Sequence, residues 1–431
     1  MTSPENTRPE REFSRRQFLG RSACQAATVA AGMVTLAPAS ETATPRVRVA
    51  IIGVRNRGRD LAGLFAANLR ADVRVLCDVD PGVLGGAVSA VTATGAAAPH
   101  VEHDFRRVLD RQDLDAVVIA TPDHWHAGMT TLACTAGKDV YVEAPATWCL
   151  GEALPPLAAA QRSKRIVQCG IQERSSDHLR EAIEFVHSGQ LGAVRFARAW
   201  VVHRRKPIPP KSSSPAPLGV DYQAWLGPAA SRPFNLNRYH FNWRWFWDYG
   251  GGELAHWGTH WLDVARWGMN VEWPQRVFAS GAISSTQDAA ETPDTLTAQF
   301  VYPNQTLVWE HRLSSGYGVE GRSTGVAFHG EKGVLVLDRG GWRVYDGVSA
   351  GSSGSANSMQ QQHVDNFLTS VLTRQSPTCD LWQGVISAGL AHLGNIAYRV
   401  GHEIQYDPLR GKYLNDADAT ALALGRSSQW T

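Results

Sequence analysis

Six residues, Gly53-Val54-Arg55-Asn56-Arg57-Gly58, restrict the fold more than any other part of this chain. They stand between a β-branched run, Val47-Arg48-Val49-Ala50-Ile51-Ile52, and helical sequence from Gly58 to about Leu69. A second run, Val73-Arg74-Val75-Leu76-Cys77, then predicts a strand ending at Asp78. Gly53 and Gly58 are the first and third glycines of G-x-G-x-x-G: the first permits a tight turn, and the third lets helix and strand pack closely. Amides of the helix would then face a pyrophosphate at the positive end of the dipole. Arg55 occupies the middle glycine position, so its side chain must turn away from the phosphates or move them outward and bind them. A carboxylate at Asp78 can accept hydrogen bonds from both ribose hydroxyls and would repel a 2′-phosphate. That favours NAD, with NADP kept open by Arg55 and Arg57. Gly53, Arg55, Asn56, Arg57, Gly58 and Asp78 are therefore expected to bind the cofactor, against the plainer alternative of a structural turn.

The pattern continues as strand and helix. Ala116-Val117-Val118-Ile119-Ala120 is apolar without alternation, as expected for a strand buried on both faces. A helix from about Trp125 to Ala136 leads to another strand, Val140-Tyr141-Val142-Glu143. Strands joined by helical crossovers predict a doubly wound parallel sheet with its ligand at the carboxyl ends of the strands. At 431 residues, with 43% hydrophobic and 19% charged side chains, the chain can build two cores.

The N-terminus reads as an address. Ser14-Arg15-Arg16-Gln17-Phe18-Leu19-Gly20 is a twin-arginine signature, followed by a weakly apolar stretch from Ala23 to Leu36 and Ala37-Pro38-Ala39. The stretch is too short and too rich in Ala, Gly and Thr to anchor a span. Export by the twin-arginine machinery to the periplasm or beyond is the expectation. The formal charge is +2, and the first 39 residues hold five arginines and three glutamates, so their removal leaves a neutral chain. No basic run points to nucleic acid. Cys77, Cys134, Cys149, Cys169 and Cys379 lack paired spacing and read as buried thiols.

Several segments together resemble the glucose–fructose oxidoreductase, inositol dehydrogenase and rhizopine-catabolism group, Gfo/Idh/MocA. They are Ala120-Thr121-Pro122-Asp123-His124-Trp125-His126, Gly137-Lys138-Asp139-Val140-Tyr141-Val142-Glu143, Val167-Gln168-Cys169-Gly170-Ile171-Gln172, and Phe241-Asn242-Trp243-Arg244-Trp245-Phe246-Trp247-Asp248-Tyr249-Gly250-Gly251-Gly252-Glu253-Leu254. The last is similar to the signal-bearing branch of that family. The resemblance runs from about Arg46 to the C-terminus. It implies an α/β protein: an N-terminal Rossmann domain (45–165) after the signal and linker (1–44). An α+β domain (166–431) would follow, with a large, mainly antiparallel open sheet that often mediates homo-oligomers. The later strand-like runs, 277–280, 296–300, 307–310 and 334–337, agree independently. The resemblance also implies cofactor contacts from Thr121, His124, His126, Glu143 and Pro145.

Family dehydrogenases carry Glu-Lys-Pro at the end of a Rossmann strand, and that lysine helps move the hydroxyl proton. Here the tripeptide is Glu143-Ala144-Pro145. The family's aspartate–histidine pair reads His256 and His260. Glu253, His256, His260 and Asp263 recur at helical spacing, which predicts one shared face if 253–267 is helical. Neutral imidazole can take a hydroxyl proton near neutral pH, so His260 is the expected acid/base, assisted by His256. The alternatives are a hydrogen-bonded seam, or a cation met by the two histidines and Glu253; no other feature supports a metal. Six tryptophans lie from Trp243 to Trp267, with Tyr239 just before them. Tyr239, Trp243 and Arg244 are expected to meet a sugar-sized substrate, with Arg174 in the same wall, unless they simply pack a core. A long exposed loop is predicted from His203 to Pro217, a flexible linker at 350–357, and two helices at 361–373 and 384–400.

The leading expectation is thus an NAD(P)-dependent oxidoreductase acting on a sugar, polyol or related carbohydrate. A glycoside-cleaving enzyme that works through transient oxidation is the first alternative. A redox-silent nucleotide- or sugar-binding protein, favoured by Ala144, is the second.

Overall fold

A computed structural model describes residues 45–345, 356–407, 412–413 and 416–425. The twin-arginine signal and most of the predicted 350–357 linker lie outside these residues.

Two sheets organise the chain. The first has six strands: β1 (Val47–Ile52), β2 (Ala71–Cys77), β3 (His100–Glu102), β4 (Ala116–Ile119), β5 (Asp139–Glu143) and β6 (Val167–Gly170). They pair in the order β3-β2-β1-β4-β5-β6, every pair parallel. β4 and β5 are buried at every residue, because helices cover both faces. The crossovers include α1 (Arg57–Ala66), α2 (Pro81–Thr92), α3 (Phe105–Asp110), α4 (His126–Thr135) and α5 (Leu154–Ser163). α2 and α3 begin at aspartates, Asp80 and Asp104, whose carboxylates accept from the amides two residues on. This is the doubly wound order with the strand reversal beside β1. The parallel sheet runs through Gly170, past the boundary at 165 expected from sequence, because β6 hydrogen-bonds to β5 and closes that edge.

The second sheet has nine strands: β7 (Phe196–Val202), β8 (Arg276–Ala282), β9 (Thr295–Val301), β10 (Thr306–Arg312), β11 (Thr324–Gly330), β12 (Gly333–Asp338), β13 (Gly341–Tyr345), β14 (Ile404–Asp407) and β15 (Lys412–Tyr413). Its order is β13-β12-β11-β7-β10-β9-β8-β14-β15, antiparallel except where β7 meets β10. Burial alternates along β9 and β10, so one face packs a core and the other meets solvent. The covered face lies under α6 (Asp177–His187), α8 (Thr259–Met269) and α10 (Leu381–Val400), around Trp261, Trp309, Phe300 and Phe328. Between the sheets runs a largely irregular segment, 203–258, holding the short helix α7 (Tyr222–Leu226) and an aromatic core of its own around Trp225, Tyr239, Trp245 and Tyr249.

One helix crosses the expected domain division. α9 (Ala356–Thr373) lies late in the chain, yet its Val364, Phe367, Leu368 and Val371 belong to the core of the first sheet. Phe367 stands edge-on to Phe65 and Tyr141, with ring centroids 6.0 and 5.8 Å away. The five cysteines from Cys77 to Cys379 are free and buried. No helix of the described residues is long and apolar enough to cross a membrane.

Candidate functional site

A cleft of about 430 Å³ opens at the carboxyl ends of the parallel strands. Its floor is the turn after β1. Gly53 has φ +80°, and a Cβ there would stand 2.8 Å from the Ala120 backbone. A Cβ on Gly58 would stand 1.7 Å from the Gly53 carbonyl oxygen. Both positions therefore require glycine, for the tight turn and the close helix contact that the spacing predicts. Gly58 sits behind the lining, while Gly53, Arg55, Asn56 and Arg57 line it. Arg55 is exposed at the rim. Arg57 turns to Glu143, its Nε donating to Oε1 over 2.8 Å, so it is committed to a carboxylate. Tyr141 donates to the same oxygen over 3.3 Å.

Asp78 closes the far end. It accepts from the amides of Val54 (2.9 Å) and Asp80 (3.0 Å). Burial outweighs these bonds and pushes its carboxyl up to about 6. An ionised Asp78 accepts ribose hydroxyls with its remaining lone pairs, so NADH affinity is expected to weaken as pH falls through about 6. Fluorescence titration of NADH between neutral and acidic pH measures this, with Asp78→Asn expected to flatten the profile.

The opposite wall comes from the irregular segment and includes Asp221, Trp225, His240, Phe241, Trp243 and Arg244. It is fastened to the first domain at three points. Trp225 offers its carbonyl to both His124 Nε2 and Trp125 Nε1, each at 3.0 Å. The Asp221 amide donates to the Val79 carbonyl over 3.1 Å. His240 reaches Asp80 through Nε2, and the Tyr239 hydroxyl reaches the same oxygen over 3.4 Å.

Three expected contacts are corrected by this packing. His124 is buried against Trp225 and does not line the cleft; burial drops its imidazole to about 4, so the neutral ring serves as a strut. Tyr239 lies behind His240, which takes its place at the lining. Arg174 is held in the core: Nε and Nη2 donate to Asp263 over 2.7 and 3.1 Å, and Trp267 covers its guanidinium at 5.1 Å. Thr121, His126 and Glu143 do line the cleft. His126 ties two of its loops together, its ring nitrogens 2.7 Å from the Pro145 carbonyl and 2.8 Å from that of Thr121. Pro145 acts through that carbonyl from behind.

The predicted helix forms from Gly252, but with a widened turn inside it. Leu254–Gly258 is a π turn, and only from Thr259 is the helix regular. One extra residue in the turn rotates what precedes it by about 100° relative to a continuous α-helix. A Cβ on Gly258 would stand 2.9 Å from the Leu254 side chain, so the widened turn closes against a glycine. Each of the four polar residues takes a partner of its own. Glu253 accepts from His203 over 2.9 Å, His256 meets Arg244, His260 meets Glu173, and Asp263 holds Arg174 and Arg266. Among the described residues no group of three His, Cys, Asp or Glu is gathered as metal ligands would be.

The two histidines now differ in kind. Arg244 Nη1 lies 3.1 Å from His256 Nε2, and a guanidinium only donates, so Nε2 accepts and the neutral ring carries its proton on Nδ1. His256 lines the cleft, while its Nδ1 is buried and unpartnered. Burial, then Arg244, holds this imidazole well below its ordinary range. His260 does not line the cleft; it sits one turn farther on, and its Nδ1 meets Glu173 Oε2 at 3.0 Å. A carboxylate only accepts, so Nδ1 carries the proton. Glu173 is fully buried and takes Arg339 on its other oxygen at 2.9 and 2.6 Å. Burial alone would raise the Glu173 carboxyl, but Arg339 and His260 overcome it and hold it well below the carboxylate range. A depressed carboxyl stabilises the fold above its unfolded value and loses that contribution as pH falls through the folded one. Glu173→Gln is therefore expected to cost about 1.5–3 kcal/mol at neutral pH. In urea unfolding the gap to the parent should narrow in acid.

Sequence reading gave no site role to Asp123, His240 and Phe241, and took Ala144 only as the missing lysine; all four line the cleft. Asp123 lay inside a quoted motif, but nothing in the sequence says which of its polar residues turns inward.

These features fit a dinucleotide. The glycine cradle admits no Cβ, the helix N-terminus faces the cleft, and a carboxylate ends β2. The molecule is a two-domain α/β protein of the nucleotide-dependent oxidoreductase class. Residues 47–171 match the model of the oxidoreductase family's NAD-binding Rossmann fold, and residues 194–302 match its C-terminal alpha/beta domain. The chain belongs to the Gfo/Idh/MocA family. It is similar to a glycosyl hydrolase family 109 protein of Saccharopolyspora erythraea, 32% identical over 212 residues, 44% of this chain and 46% of that one. Another of that description, from Shewanella woodyi, is 30% identical over 164 residues, 36% of this chain and 34% of the relative. The chain thus spans less than half the length of these curated relatives. Among solved structures, the fold matches the aldose–aldose oxidoreductase of Caulobacter crescentus complexed with glycerol, at TM-score 0.64 and 22% identity over 84% of this chain and 99% of that one. It also matches levoglucosan dehydrogenase in complex with NADH, at TM-score 0.67 and 15% identity over the same shares.

Proposed function

We propose that this chain is an NAD-dependent oxidoreductase that oxidises a hydroxyl of a sugar, polyol or related carbohydrate. The observation that carries the reading is one continuous cleft joining the glycine turn and Asp78 to Trp243, Arg244 and His256. Gly53 and the first amides of α1 would hold the phosphates, and Asp78 the ribose. NAD, when bound, supplies a hydride acceptor. The rest falls to side chains. Trp243 offers an aromatic face to C–H bonds, and Arg244 donates to hydroxyl or carboxylate oxygen. His260, with Nε2 outside its bond to Glu173, is the proposed proton acceptor on this side. His260→Ala is expected to lower the rate about 10²–10⁴-fold, with nucleotide content unchanged.

The test is direct. Purified protein is denatured and any released nucleotide identified, then aldoses and polyols are supplied while nicotinamide absorbance is followed. Absence of both nucleotide and NADH binding would sink the proposal. A second reading, glycoside cleavage through transient oxidation, is supported by Ala144 and by the naming of the relatives. It predicts tightly held NAD, cleaved glycoside and no net NADH.

Export through the twin-arginine machinery to the periplasm or beyond is proposed from the Ser14–Gly20 signature. The bare face of the nine-stranded sheet, with Phe278 and Phe196 exposed, is proposed as a self-association surface.

A further inference from the structure

We propose that Asp123 is a second proton-exchanging group of this cleft, on the nucleotide-domain side, doing the work for which Ala144 has no side chain. This rests on the oxidoreductase reading above.

Four observations converge. Asp123 lines the cleft together with Ala144, Arg244 and His256. Its residue is only 5% exposed. Among the described residues no other side chain stands within hydrogen-bond or ion-pair distance of its carboxyl, and Arg244 is the cation that acts on it. Its backbone is fixed: Asp123 opens a single 3₁₀ turn, Asp123–Trp125, directly after β4 and Pro122. Both following residues are pinned to the Trp225 carbonyl, and His126 is pinned to that of Thr121. A structural carboxylate so deep in a protein is normally paired, because an unpaired buried charge is costly. This one is placed rigidly in a cavity wall with only its own amide and the Arg244 charge acting in its favour, and no other side chain bonded to it.

Burial also pushes the Asp123 carboxyl well above its ordinary range, and Arg244 only partly offsets that. That direction favours the protonated form. In the reducing direction its O–H bond breaks and the proton passes to the substrate carbonyl oxygen, while that carbon gains hydride from a reduced nicotinamide. In the oxidising direction the carbinol O–H bond breaks and the proton returns to the carboxylate, with NAD as hydride acceptor. On the opposite wall His256 has its lone pair engaged by Arg244, and His260, off the lining, acts only through an intervening group.

The test compares the purified full chain with Asp123→Asn and Asp123→Glu by three readouts. Infrared difference spectra near neutral pH are expected to hold a protonated-carboxyl band that Asp123→Asn lacks. NADH fluorescence titration is expected to give the same affinity within about threefold, and turnover with myo-inositol or glucose to fall about 10²–10⁴-fold in Asp123→Asn. Asp123→Glu is expected to restore part of it. An unchanged band in Asp123→Asn, or turnover within about threefold of the parent, overturns the assignment. If the parent itself binds no NADH, the oxidoreductase reading falls, yet the band still reports on Asp123. If it binds NADH and turns over neither probe, the band alone decides, and its absence is fatal.

Discussion

Alanine at position 58 is expected to abolish nucleotide binding. The added Cβ would lie 1.7 Å from the Gly53 carbonyl oxygen, less than half of an ordinary van der Waals contact. That oxygen belongs to main chain, so no side chain can swing aside. Either α1 moves off β1 or the turn at Gly53 opens. Gly53 is itself at φ +80° with the Ala120 backbone 2.8 Å from where its own Cβ would be, so the turn has nowhere to go. Overpacking typically costs about 1–3 kcal/mol, and a backbone clash belongs at the upper end. Binding should suffer more than stability, because the helix amides that meet the phosphates move with the clash. NADH titration and urea unfolding on Gly58→Ala separate the two. Affinity within about threefold of the parent would mean the phosphates do not sit on this turn.

Asp263→Ala should be the most destabilising single change in the second domain. One fully buried carboxylate serves Arg174 at 2.7 and 3.1 Å, Arg266 at 3.1 Å and the Ser387 hydroxyl at 2.6 Å. Burial opposes its charge, but Arg174, then Arg266, outweigh burial and depress its carboxyl. Removing it strands two guanidiniums in the core, a loss of about 3–5 kcal/mol, against a net stability of about 5–15 kcal/mol for a whole fold. The sign with pH follows from the depressed carboxyl: the contribution is complete above the unfolded aspartate value and is lost as pH falls through the folded one. Asp263→Asn keeps an acceptor and should cost less. Urea midpoints near neutral pH measure both, and a loss under about 1 kcal/mol for alanine would contradict the account.

The parallel sheet was legible because a strand buried on both faces must be apolar without interruption, and 116–120 and 140–142 are. The glycine turn was legible because only two positions in it forbid a Cβ, and both are glycine. Periodicity failed at 254–258. Counting by 3.6 places Glu253, His256, His260 and Asp263 on one stripe, and nothing local in the sequence announces a residue inserted into the turn. Arg174 failed for a different reason: its partner lies 89 positions away, and such pairing is written only in the fold. Asp123 and His124 are neighbours of similar polarity, and which of them faces the ligand is settled by the Trp225 carbonyl, about a hundred residues downstream. Local rules reach elements and turns; they do not reach the partners that those elements meet.

The placement of α9 bears on synthesis. A ribosome that has released residues through 170 has made every strand of the nucleotide-binding sheet, yet the wall at Phe65 and Tyr141 still lacks Phe367. That half of the protein therefore stays open until the chain is nearly finished, and a gene fragment cut at the sheet's last strand would leave an oily flank uncovered.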